Sequence, residues 1–403
     1  MISMDIVILA NFCGDLSAQD NGRFSYLARS LVKSHQVELI TSDFHHDSKS
    51  HRTGPPDGAP FKVTLLHEPG YPKNICLRRF VSHRDFGRNV SAYLAKRRRP
   101  DVVYCAVPSL TAALAAADYC RENGVRSIVD IQDLWPEAFE MVFHIPVLSG
   151  LLFAPFRSMA DQIYSAADAI CAVSHTYVDR ALKVNKKVEA GSCVYLGTRL
   201  EDFDQNARAN AVTDKPEKEL WLGYCGTLGA SYDLTCTIDA LALLDRQGRV
   251  TPRFIVMGDG PRREEFETYA QRKGVAAEFM GRLPYPKMCG VLSACDIVVN
   301  PIVGSSAASI INKHADYAAC GRAVLNTQSS PEYRELVDMY RMGFNCVSGD
   351  AGDLAGKLSR LLEDPALRAK MGRNARRCAE EKFDRAKTYQ ALVEAIEGTI
   401  CKE

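Results

Sequence analysis

Short apolar segments alternate with amphipathic helical segments along this chain, and the alternation runs through it twice. Segments 5–10 and 101–106, for example, consist almost entirely of apolar residues and end in polar loops. A strand that is apolar on both faces has to be buried on both, which is typical of a parallel sheet covered by helices. The predicted strands are 5–10, 37–41, 101–106, 127–131, 169–173, 192–196, 220–225, 253–257, 277–280, 297–299 and 323–326.

A polar stretch at 201–219 interrupts this alternation and is predicted to be a linker of low order. A length of 403 residues is sufficient for two domains. We therefore predict an α/β chain with two Rossmann-like domains, residues 1–198 and 199–384, and a final helix near 385–403 that packs back on the first. Since open parallel sheets bind ligands at the carboxyl ends of their strands, one site is expected in a cleft between the two domains.

The charge and cysteine content narrow the function classes. Lys and Arg total 50 and Asp and Glu total 49, so no overall field favours nucleic acid, and no nucleic-acid partner is predicted. The 14 cysteines include no pair at C-x-x-C spacing, which favours a reducing, cytoplasmic compartment. His45, His46 and His51 lie near Asp47 without an ordered ligand spacing, so neither a metal nor a cofactor is predicted.

The segment 73–99 is strongly basic, although the net charge of the whole chain is close to zero. It holds nine Lys and Arg residues and one acid, Asp85. Such a window suits anionic lipid headgroups or a pyrophosphate, although an ordinary solvated face is the alternative. The residues predicted to form this membrane patch are Arg78, Arg79, Lys96, Arg97, Arg98 and Arg99. The apolar segment 147–159 could lie in the membrane interface or form a core helix, and no membrane-spanning segment is predicted.

Two glycine loops follow predicted strands of the second half. Gly226 begins a Gly-Thr-Leu-Gly loop after strand 220–225, and Gly258 begins a Gly-Asp-Gly-Pro loop after strand 253–257. Glycine allows backbone to approach a ligand closely, but a plain strand-to-helix turn is the alternative at both positions. Neither loop has the G-x-G-x-x-G spacing, so a dinucleotide-dependent dehydrogenase is disfavoured.

A loop of small residues at 304–312 leads into a predicted helix at 313–319. The free amides and the positive end of a helix dipole bind anions, and Lys313 adds a cation. Asp316, one turn on, could accept hydrogen bonds from a ribose, or it could merely complement the helix dipole. The sequence therefore indicates an anion site at this helix.

Two carboxylates follow predicted strand 127–131, in the segment Gln-Asp-Leu-Trp-Pro-Glu at 132–137. Asp133 and Glu137 are the best acid–base candidates of the first half, although a Trp-Pro packing corner with solvated acids is the alternative. Glu137 is assigned to an acceptor-binding loop, together with Asn21 and Gly22 at the end of the polar loop after the first strand.

The second half resembles the donor domain of retaining GT-B glycosyltransferases of family 4. The segments that carry the resemblance are 222–229, 256–261, 279–283, 294–301, 313–324 and 363–375. The order and spacing of the motifs are similar over nearly the whole chain. Residues 133–137 resemble the subgroup with Asp-Leu-Trp-Pro-Glu, which is associated with O-antigen, capsule and exopolysaccharide assembly.

The resemblance implies a nucleotide diphosphate sugar as donor, with UDP the favoured nucleotide. Arg282 and Leu283 would lie beside the base, Asp316 would hold the ribose, and Lys313 would neutralise the diphosphate. The remaining residues implied at the donor are Gly226, Thr227, Leu228, Tyr232, Gly258, Asp259, Ser309, Ile310 and Ile311. Thr227 and Tyr232 stand where the family has an Arg and a Lys.

Two further positions depart from the family pattern. Ala308 and Asp316 replace the two acids of the E-x7-E motif, and Gln132 replaces a histidine. The residues implied in catalysis are therefore Gln132, Asp133 and Lys313.

The implied reaction is a sugar transfer with retention to a hydroxyl of a lipid-pyrophosphate-linked saccharide, in bacterial surface polysaccharide synthesis. The protein would act at the inner face of the cytoplasmic membrane, on an anionic surface. A nucleotide-sugar epimerase of the same architecture and a non-catalytic binding subunit are the alternatives.

Overall fold

A computed structural model describes residues 3–16, 22–55, 58–74, 76–137, 148–304 and 310–398, with the side chains of 148–151 excepted. The chain divides into two compact units, Met1–Tyr195 with Tyr389–Glu403, and Leu196–Thr388. We refer to them as unit 1 and unit 2. The divisions fall at 195/196 and 388/389, where the sequence analysis placed boundaries at 198/199 and 384/385.

Four strands of the described residues, at 44–45, 50–51, 62–66 and 343–345, were not predicted, whereas the others occupy the apolar segments that the sequence indicates. The strands are β1 Asp5–Leu9, β2 Gln36–Ser42, β3 Phe44–His45, β4 Ser50–His51, β5 Lys62–Leu66, β6 Val102–Val107, β7 Arg126–Ile131, β8 Ala169–Ala172, β9 Ser192–Cys193, β10 Trp221–Cys225, β11 Arg253–Met257, β12 Ala277–Gly281, β13 Ile297–Asn300, β14 Ala323–Asn326 and β15 Gly343–Asn345.

The helices, numbered in the same way, cover the amphipathic segments. They are α1 Arg23–Leu31, α2 Leu77–Lys96, α3 Leu110–Asn123, α4 Leu148–Ala166, α5 His175–Leu182, α6 Leu200–Ala209, α7 Leu234–Arg246, α8 Arg263–Lys273, α9 Tyr285–Ala294, α10 Asn312–Ala319, α11 Pro331–Tyr340, α12 Ala351–Glu363, α13 Pro365–Cys378, a π-helical turn Ala379–Phe383, α14 Arg385–Thr388 and α15 Gln390–Glu397.

Unit 1 is built on a seven-stranded sheet of order β5-β2-β1-β6-β7-β8-β9. Each neighbouring pair is parallel, so the carboxyl ends of all these strands lie at one edge. Strand side chains such as Ile8, Leu39 and Tyr104 form the core, and Leu392 and Ile396 of α15 complete it. Helix α15 is therefore part of the hydrophobic core of unit 1.

Unit 2 repeats the plan with a six-stranded parallel sheet of order β12-β11-β10-β13-β14-β15. Its core includes Leu222, Phe254 and Ile297 from three neighbouring strands. Two parallel-sheet Rossmann-like units confirm the predicted α/β fold class.

The prediction of a linker of low order at 201–219 is wrong over the first half of that stretch, because helix α6 spans Leu200–Ala209. Leu200 and Phe203 lie three residues apart on one face and are buried, and Glu201 stands in the first turn, where an acid favours a helix. Asp204 on this helix accepts a bidentate pair of hydrogen bonds from Arg376, each 2.7 Å long.

The apolar segment 147–159 contributes to helix α4 rather than to a membrane span. Phe153 on this helix is 6% exposed, whereas Leu152 next to it is 68% exposed. Within the described part of the chain, no helix combines the length and hydropathy needed to cross a bilayer.

Candidate active site

The two glycine loops of unit 2 are built against each other at the carboxyl ends of β10 and β11. The Gly226 amide donates to the Met257 carbonyl oxygen at 3.0 Å, and the Leu228 amide donates to the Asp259 carbonyl oxygen at 2.9 Å. A Cβ added to Gly258 would collide with the Gly226 carbonyl oxygen. Glycine is therefore required for the packing of loop on loop, which is the structural alternative that the sequence left open.

Lys313, in the first turn of α10, lies behind the first of these loops. Its side chain is buried, and its Nζ lies 4.4 Å from the ring centroid of Tyr224 and 3.8 Å from that of Tyr232. Among the described residues, Nζ has no hydrogen-bond partner. Burial lowers the pKa of Lys313 to about 7. An amine held in this way lacks a counter-ion, and an anion entering beside it would satisfy it.

Gly226 is the point of closest approach between that loop and the amine. Its φ is +143°, in the region that favours glycine, and a Cβ there would lie 2.7 Å from Lys313 Nζ. The structure therefore brings together three residues predicted at the donor: Gly226, Tyr232 and Lys313.

At the start of α10, one contact predicted with the nucleotide-sugar donor is wrong. The Ile311 amide, expected to face the diphosphate, donates instead to His314 Nδ1 at 3.2 Å. The His314 ring stacks on Tyr333 with centroids 3.5 Å apart, and burial lowers its pKa well below its ordinary value, so the ring is a neutral acceptor. Ile310 is buried, and Ser309 lies outside the described residues. The contacts predicted for Ser309 and Ile310 stay predictions.

Asp316, predicted to hold a ribose, belongs to a hydrogen-bond chain inside unit 2. Its Oδ1 accepts from the Tyr285 hydroxyl at 2.9 Å, and that hydroxyl lies 2.8 Å from Thr198 Oγ1. Burial raises the pKa of Asp316 to about 6. A ribose would have to share this carboxylate with Tyr285, a residue that sequence analysis missed.

The other donor residues predicted from sequence fall into two groups. The Leu228 side chain is fully buried and its backbone oxygen accepts from the Arg262 amide, so its predicted donor contact is wrong. Thr227 and Arg282 are exposed, and Leu283 is half-buried. Asp259 is exposed too, and its Oδ1 accepts from the Gly260 amide at 2.8 Å.

In unit 1, Gln132 and Asp133 follow β7 as predicted. Burial raises the pKa of Asp133 to about 6, although hydrogen bonds from the Leu134 amide and the Trp135 side chain oppose the shift. Gln132 Nε2 is buried and has no hydrogen-bond partner among the described residues. A carboxyl that titrates near neutrality is suited to orienting a hydroxyl or exchanging its proton.

Glu137, the other predicted acid–base candidate, has a structural role. Its Oε1 accepts from Arg180 Nε at 2.6 Å, and the same guanidinium donates to Asp161 at 2.7 Å. An ion pair holds Oε1 against α5, whereas Oε2 has no hydrogen-bond partner among the described residues, so the assignment of Glu137 to acid–base chemistry stays a prediction.

The predicted acceptor loop lies partly outside the described residues, since Asn21 is not among them, and Gly22 immediately precedes α1. The next residue, Arg23, is 4% exposed and donates to both Asp130 oxygens, at 2.8 and 2.9 Å. Sequence analysis missed this buried ion pair, which fixes the start of α1 to β7.

Two bases of the predicted membrane patch point inward. Arg97 donates to Glu38 at 2.6 Å and to Asp5, and its side chain is 11% exposed. Arg79 is half-buried, with its guanidinium carbon 4.5 Å from the Trp135 ring centroid. Their assignment to a lipid-facing patch is therefore wrong. The bases of the patch that are exposed are Arg78, Lys96, Arg98 and Arg99.

A cluster that could hold a cation lies at the edge of unit 1. Asp43, His51 and His67 offer ligand atoms within 4.8 Å of one another. His51 Nδ1 lies 3.3 Å from one Asp43 oxygen, and His67 Nδ1 lies 2.9 Å from the other. These pairs tie the β3–β4 hairpin to the end of β5, and the absence of a resident metal stays a prediction.

The two units, each a parallel α/β sheet with its loops at the carboxyl edge, define the GT-B class of glycosyltransferase. Residues 22–197 match the family described as glycosyl transferase 4-like domain, and residues 205–378 match glycosyl transferases group 1. The chain belongs to the group 1 glycosyltransferases and is an enzyme of the EC 2.4 class.

Individual relatives are distant. A 2-deoxystreptamine glucosyltransferase of Streptomyces kanamyceticus is 27% identical over 151 residues, which is 36% of this chain and only 37% of that protein's length. The crystal structure of HepE from Anabaena in complex with UDP has a TM-score of 0.67 and 17% identity, covering 98% of this chain and 100% of that one. WaaG, a glycosyltransferase involved in lipopolysaccharide biosynthesis, has a TM-score of 0.65 and 15% identity over 98% and 100% of the two chains.

Proposed function

We propose that this protein is a retaining glycosyltransferase that moves a sugar from a UDP-sugar to a hydroxyl of a lipid-linked saccharide in bacterial surface polysaccharide synthesis. The observation that carries the proposal is the amine of Lys313, which is buried beside the glycine loop at Gly226 and has no hydrogen-bond partner among the described residues. UDP is favoured because HepE has been solved with UDP and with UDP-glucose. A role in surface polysaccharide is supported by the likeness to WaaG and by the Asp-Leu-Trp-Pro-Glu segment at 133–137.

On the donor side, Lys313 would neutralise the charge that develops on the departing diphosphate. Thr227 and Tyr232 stand at the positions where related enzymes have cations, so most of this work falls on Lys313 in this chain. Electrostatic stabilisation of a leaving group by a preorganised charge is often the largest single contribution to such a rate. We propose that the reaction proceeds without a metal ion.

The transferred sugar would leave with oxocarbenium character, and the acceptor hydroxyl would attack from the face that the diphosphate leaves. The configuration at the anomeric carbon is thereby retained, and the departing diphosphate takes the hydroxyl proton. Gln132 Nε2, which is buried without a partner, and the carboxyl of Asp133 would orient the reacting groups in unit 1.

Membrane association at the inner face of the cytoplasmic membrane is supported by the outward side of α2. Leu77 and Val81 are 85% and 45% exposed there, and Arg78 lies between them. The Phe80 ring on α2 contacts the Phe156 ring on α4, with centroids 5.2 Å apart, and α4 also carries the exposed Leu152. Exposed apolar groups next to bases suit an anionic bilayer surface.

A non-catalytic binding subunit is a second candidate, and the observation that favours it is the missing pair of donor cations. It predicts that the protein binds a nucleotide sugar without turning it over. A nucleotide-sugar epimerase would instead convert the nucleotide sugar to its epimer without needing any acceptor.

A thermal-shift screen with UDP, GDP and ADP, followed by radiolabelled UDP-sugar transfer to an isoprenoid-pyrophosphate saccharide, separates these candidates. The proposal predicts a shift with UDP that Lys313→Ala abolishes and that Lys287→Ala, a change at an exposed lysine of unit 2, leaves intact. A protein that none of the three nucleotides stabilises would contradict the proposal.

A further inference from the structure

We propose that unit 1 contains an anion subsite centred on Arg79 and that this subsite binds a phosphoryl group of the acceptor. The inference rests on the proposed function, and it assigns to Arg79 the recognition of acceptor rather than of membrane. The subsite is defined by Phe12, His46, Lys49, Tyr71, Arg79, His83 and Trp135.

The guanidinium of Arg79 is held among three aromatic rings. Its central carbon lies 4.5 Å from the Trp135 centroid, 5.4 Å from that of Tyr71 and 5.6 Å from that of Phe12. Its Nη1 donates to the Asn74 carbonyl oxygen at 2.9 Å. The guanidinium is also hydrogen-bonded to the Tyr71 side chain. Aromatic faces fix the plane of a guanidinium, and the N–H groups that Asn74 and Tyr71 do not occupy stay available for an acceptor.

No carboxylate of the described residues forms an ion pair with Arg79. The acids that act on it electrostatically are Asp133 and Glu68, and burial lowers the pKa of Arg79 from its ordinary value. Glu68 is already occupied, since its two oxygens accept from Asn11 and from Ser82. A half-buried guanidinium without an ion-paired carboxylate is costly unless an anion joins it.

Other bases surround the same point. Lys49 Nζ lies 4.9 Å from the Tyr71 centroid and donates to Asn74 Oδ1 at 2.5 Å, so Lys49 and Arg79 share one partner residue. His46 shares a hydrogen bond with the Tyr71 hydroxyl at 2.6 Å. Burial is the largest cause that lowers the pKa of His46 to about 4, and the charges of Lys49 and Arg79 act in the same direction.

Two buried nitrogens at the subsite, Arg79 Nε and His83 Nε2, have no hydrogen-bond partner among the described residues. Arg79 Nε is a donor, whereas His83 Nε2, which lies 3.9 Å from Glu68 Oε1, donates or accepts according to the tautomer of the ring. The His83 side chain is 3% exposed overall, and its ring stacks on Trp135 at 5.4 Å with an interplanar angle of 12°. Buried polar atoms are nearly always paired, so an unpaired guanidinium N–H next to a second cation points to an anionic acceptor.

The subsite lies where an open parallel sheet binds ligands. Phe12 follows β1, Lys49 lies in the β3–β4 hairpin that follows β2, Tyr71 follows β5 and Trp135 follows β7. Ligands collect at this carboxyl edge because the loops of several strands converge there. Asp133 is hydrogen-bonded to Trp135, so a phosphoryl group on Arg79 would place the sugar attached to it against Asp133.

Isothermal titration calorimetry with inorganic pyrophosphate, performed with saturating UDP so that the donor site is filled, tests the subsite. Wild type is expected to bind one further equivalent of pyrophosphate. Arg79→Gln should weaken this binding at least tenfold, and Lys49→Met should weaken it several-fold. Arg88→Gln, a change on the exposed side of α2, should leave it unchanged.

Other outcomes of this titration would overturn the subsite, the role of Arg79 or the proposed function. Absence of pyrophosphate binding in a wild-type protein that binds UDP would overturn the subsite while leaving the proposed function standing, whereas absence of UDP binding would contradict the proposed function itself. Equal pyrophosphate affinity of Arg79→Gln and wild type would overturn the role of Arg79. If Arg79→Gln fails to fold, the test uses Lys49→Met instead. A pyrophosphate affinity of Lys49→Met equal to that of wild type would overturn the subsite.

Co-sedimentation with anionic phosphatidylglycerol vesicles distinguishes an acceptor phosphoryl group from a lipid headgroup. Arg79→Gln should sediment as wild type does, because the side chain lies among aromatic rings and not on the exposed side of α2. A loss of vesicle binding with unchanged pyrophosphate affinity would overturn the proposal in favour of a headgroup site.

Discussion

The two units hold an unneutralised cation in different ways. In unit 1 the guanidinium of Arg79 lies among aromatic rings, and burial lowers its pKa, but a guanidinium holds its proton far more strongly than an amine does and stays charged. In unit 2 the amine of Lys313 is enclosed so fully that its pKa falls to about 7. The comparison shows that a buried guanidinium stays charged and can bind an anion at any time. A buried amine is partly neutral near pH 7 and gains its charge when an anion binds.

The neighbours of Lys313 sharpen this difference. Burial raises the pKa of Cys225 to about 12 and raises that of Tyr232, and it lowers that of His314 well below its ordinary value. All three are therefore neutral at pH 7. Asp316, with a pKa of about 6, is ionised above neutrality. Between pH 7 and pH 10, Lys313 is the group of this set whose charge changes.

The largest effect is expected from Lys313→Ala. Loss of the charge that meets the departing diphosphate should reduce turnover by about 2–4 kcal/mol, or roughly 30- to 1000-fold. Steady-state kinetics with a UDP-sugar would measure this, with Lys287→Ala as the control. A kcat within twofold of wild type would remove Lys313 from the role.

The stability of the protein should move in the opposite direction when an apolar side chain replaces Lys313, as in Lys313→Met. The pKa of Lys313 is depressed in the folded protein, so the unfolded chain binds more protons between pH 7 and 10.5, and stability rises with pH across that window. Lys313→Met should therefore raise the Tm of the ligand-free protein at pH 7 and flatten its increase towards pH 9. A lower Tm would show that the amine stabilises the fold.

The next effect concerns Asp133 in unit 1. Asp133→Asn is expected to reduce kcat by about 10- to 100-fold, since the ionised carboxyl would no longer orient the acceptor hydroxyl. The wild-type rate should rise with pH through about 6, where burial places the pKa of this group. Asp118→Asn on α3 is the matched control. If Asp133→Asn leaves the pH dependence of the rate unchanged, the rise near pH 6 belongs to another group.

The pH dependence of UDP affinity follows from the comparison of the two cations. Because a diphosphate prefers the ammonium form, affinity should fall on the order of tenfold per pH unit above about 7. Pyrophosphate binding at Arg79 should stay nearly constant over the same range. Equal slopes at the two sites would contradict the distinction.

The smallest effect is expected at the surface of unit 1. Arg78→Gln and Arg98→Gln should each weaken binding to anionic vesicles by about 1 kcal/mol. The effect of each substitution should be smaller at high salt, because salt screens the charge of the arginine. Arg97→Gln should instead lower the free energy of unfolding, by about 3 kcal/mol, because it leaves Asp5 without its guanidinium partner and removes one of the two cations that pair with Glu38. A vesicle defect in Arg97→Gln with unchanged stability would reverse this assignment.

The fold was largely predictable because strands buried on both faces are continuous apolar runs. Strand β5 was missed, since Lys62–Leu66 is an edge strand whose residues are exposed or only partly buried. Helix α6 was taken for a linker because its charged residues outnumber the two apolar residues that anchor it. Both errors arise where burial is one-sided.

The site was predictable where local sequence determines it. Lys313 follows a small-residue loop at a helix start, a signal carried within ten residues. Arg79 was misassigned because charge counting does not separate inward from outward bases. Its spacing from His83, Phe86 and Val90, which form the buried face of α2, was the signal that could have placed it inside.

Calorimetric titration of UDP at pH 7.5, in buffers of different ionisation enthalpy, tests whether Lys313 gains its charge when the diphosphate binds. We expect an uptake on the order of half a proton or more per UDP, and we expect Lys313→Met to lose this uptake. Binding of UDP without proton uptake, or with the same uptake in Lys313→Met, would contradict it.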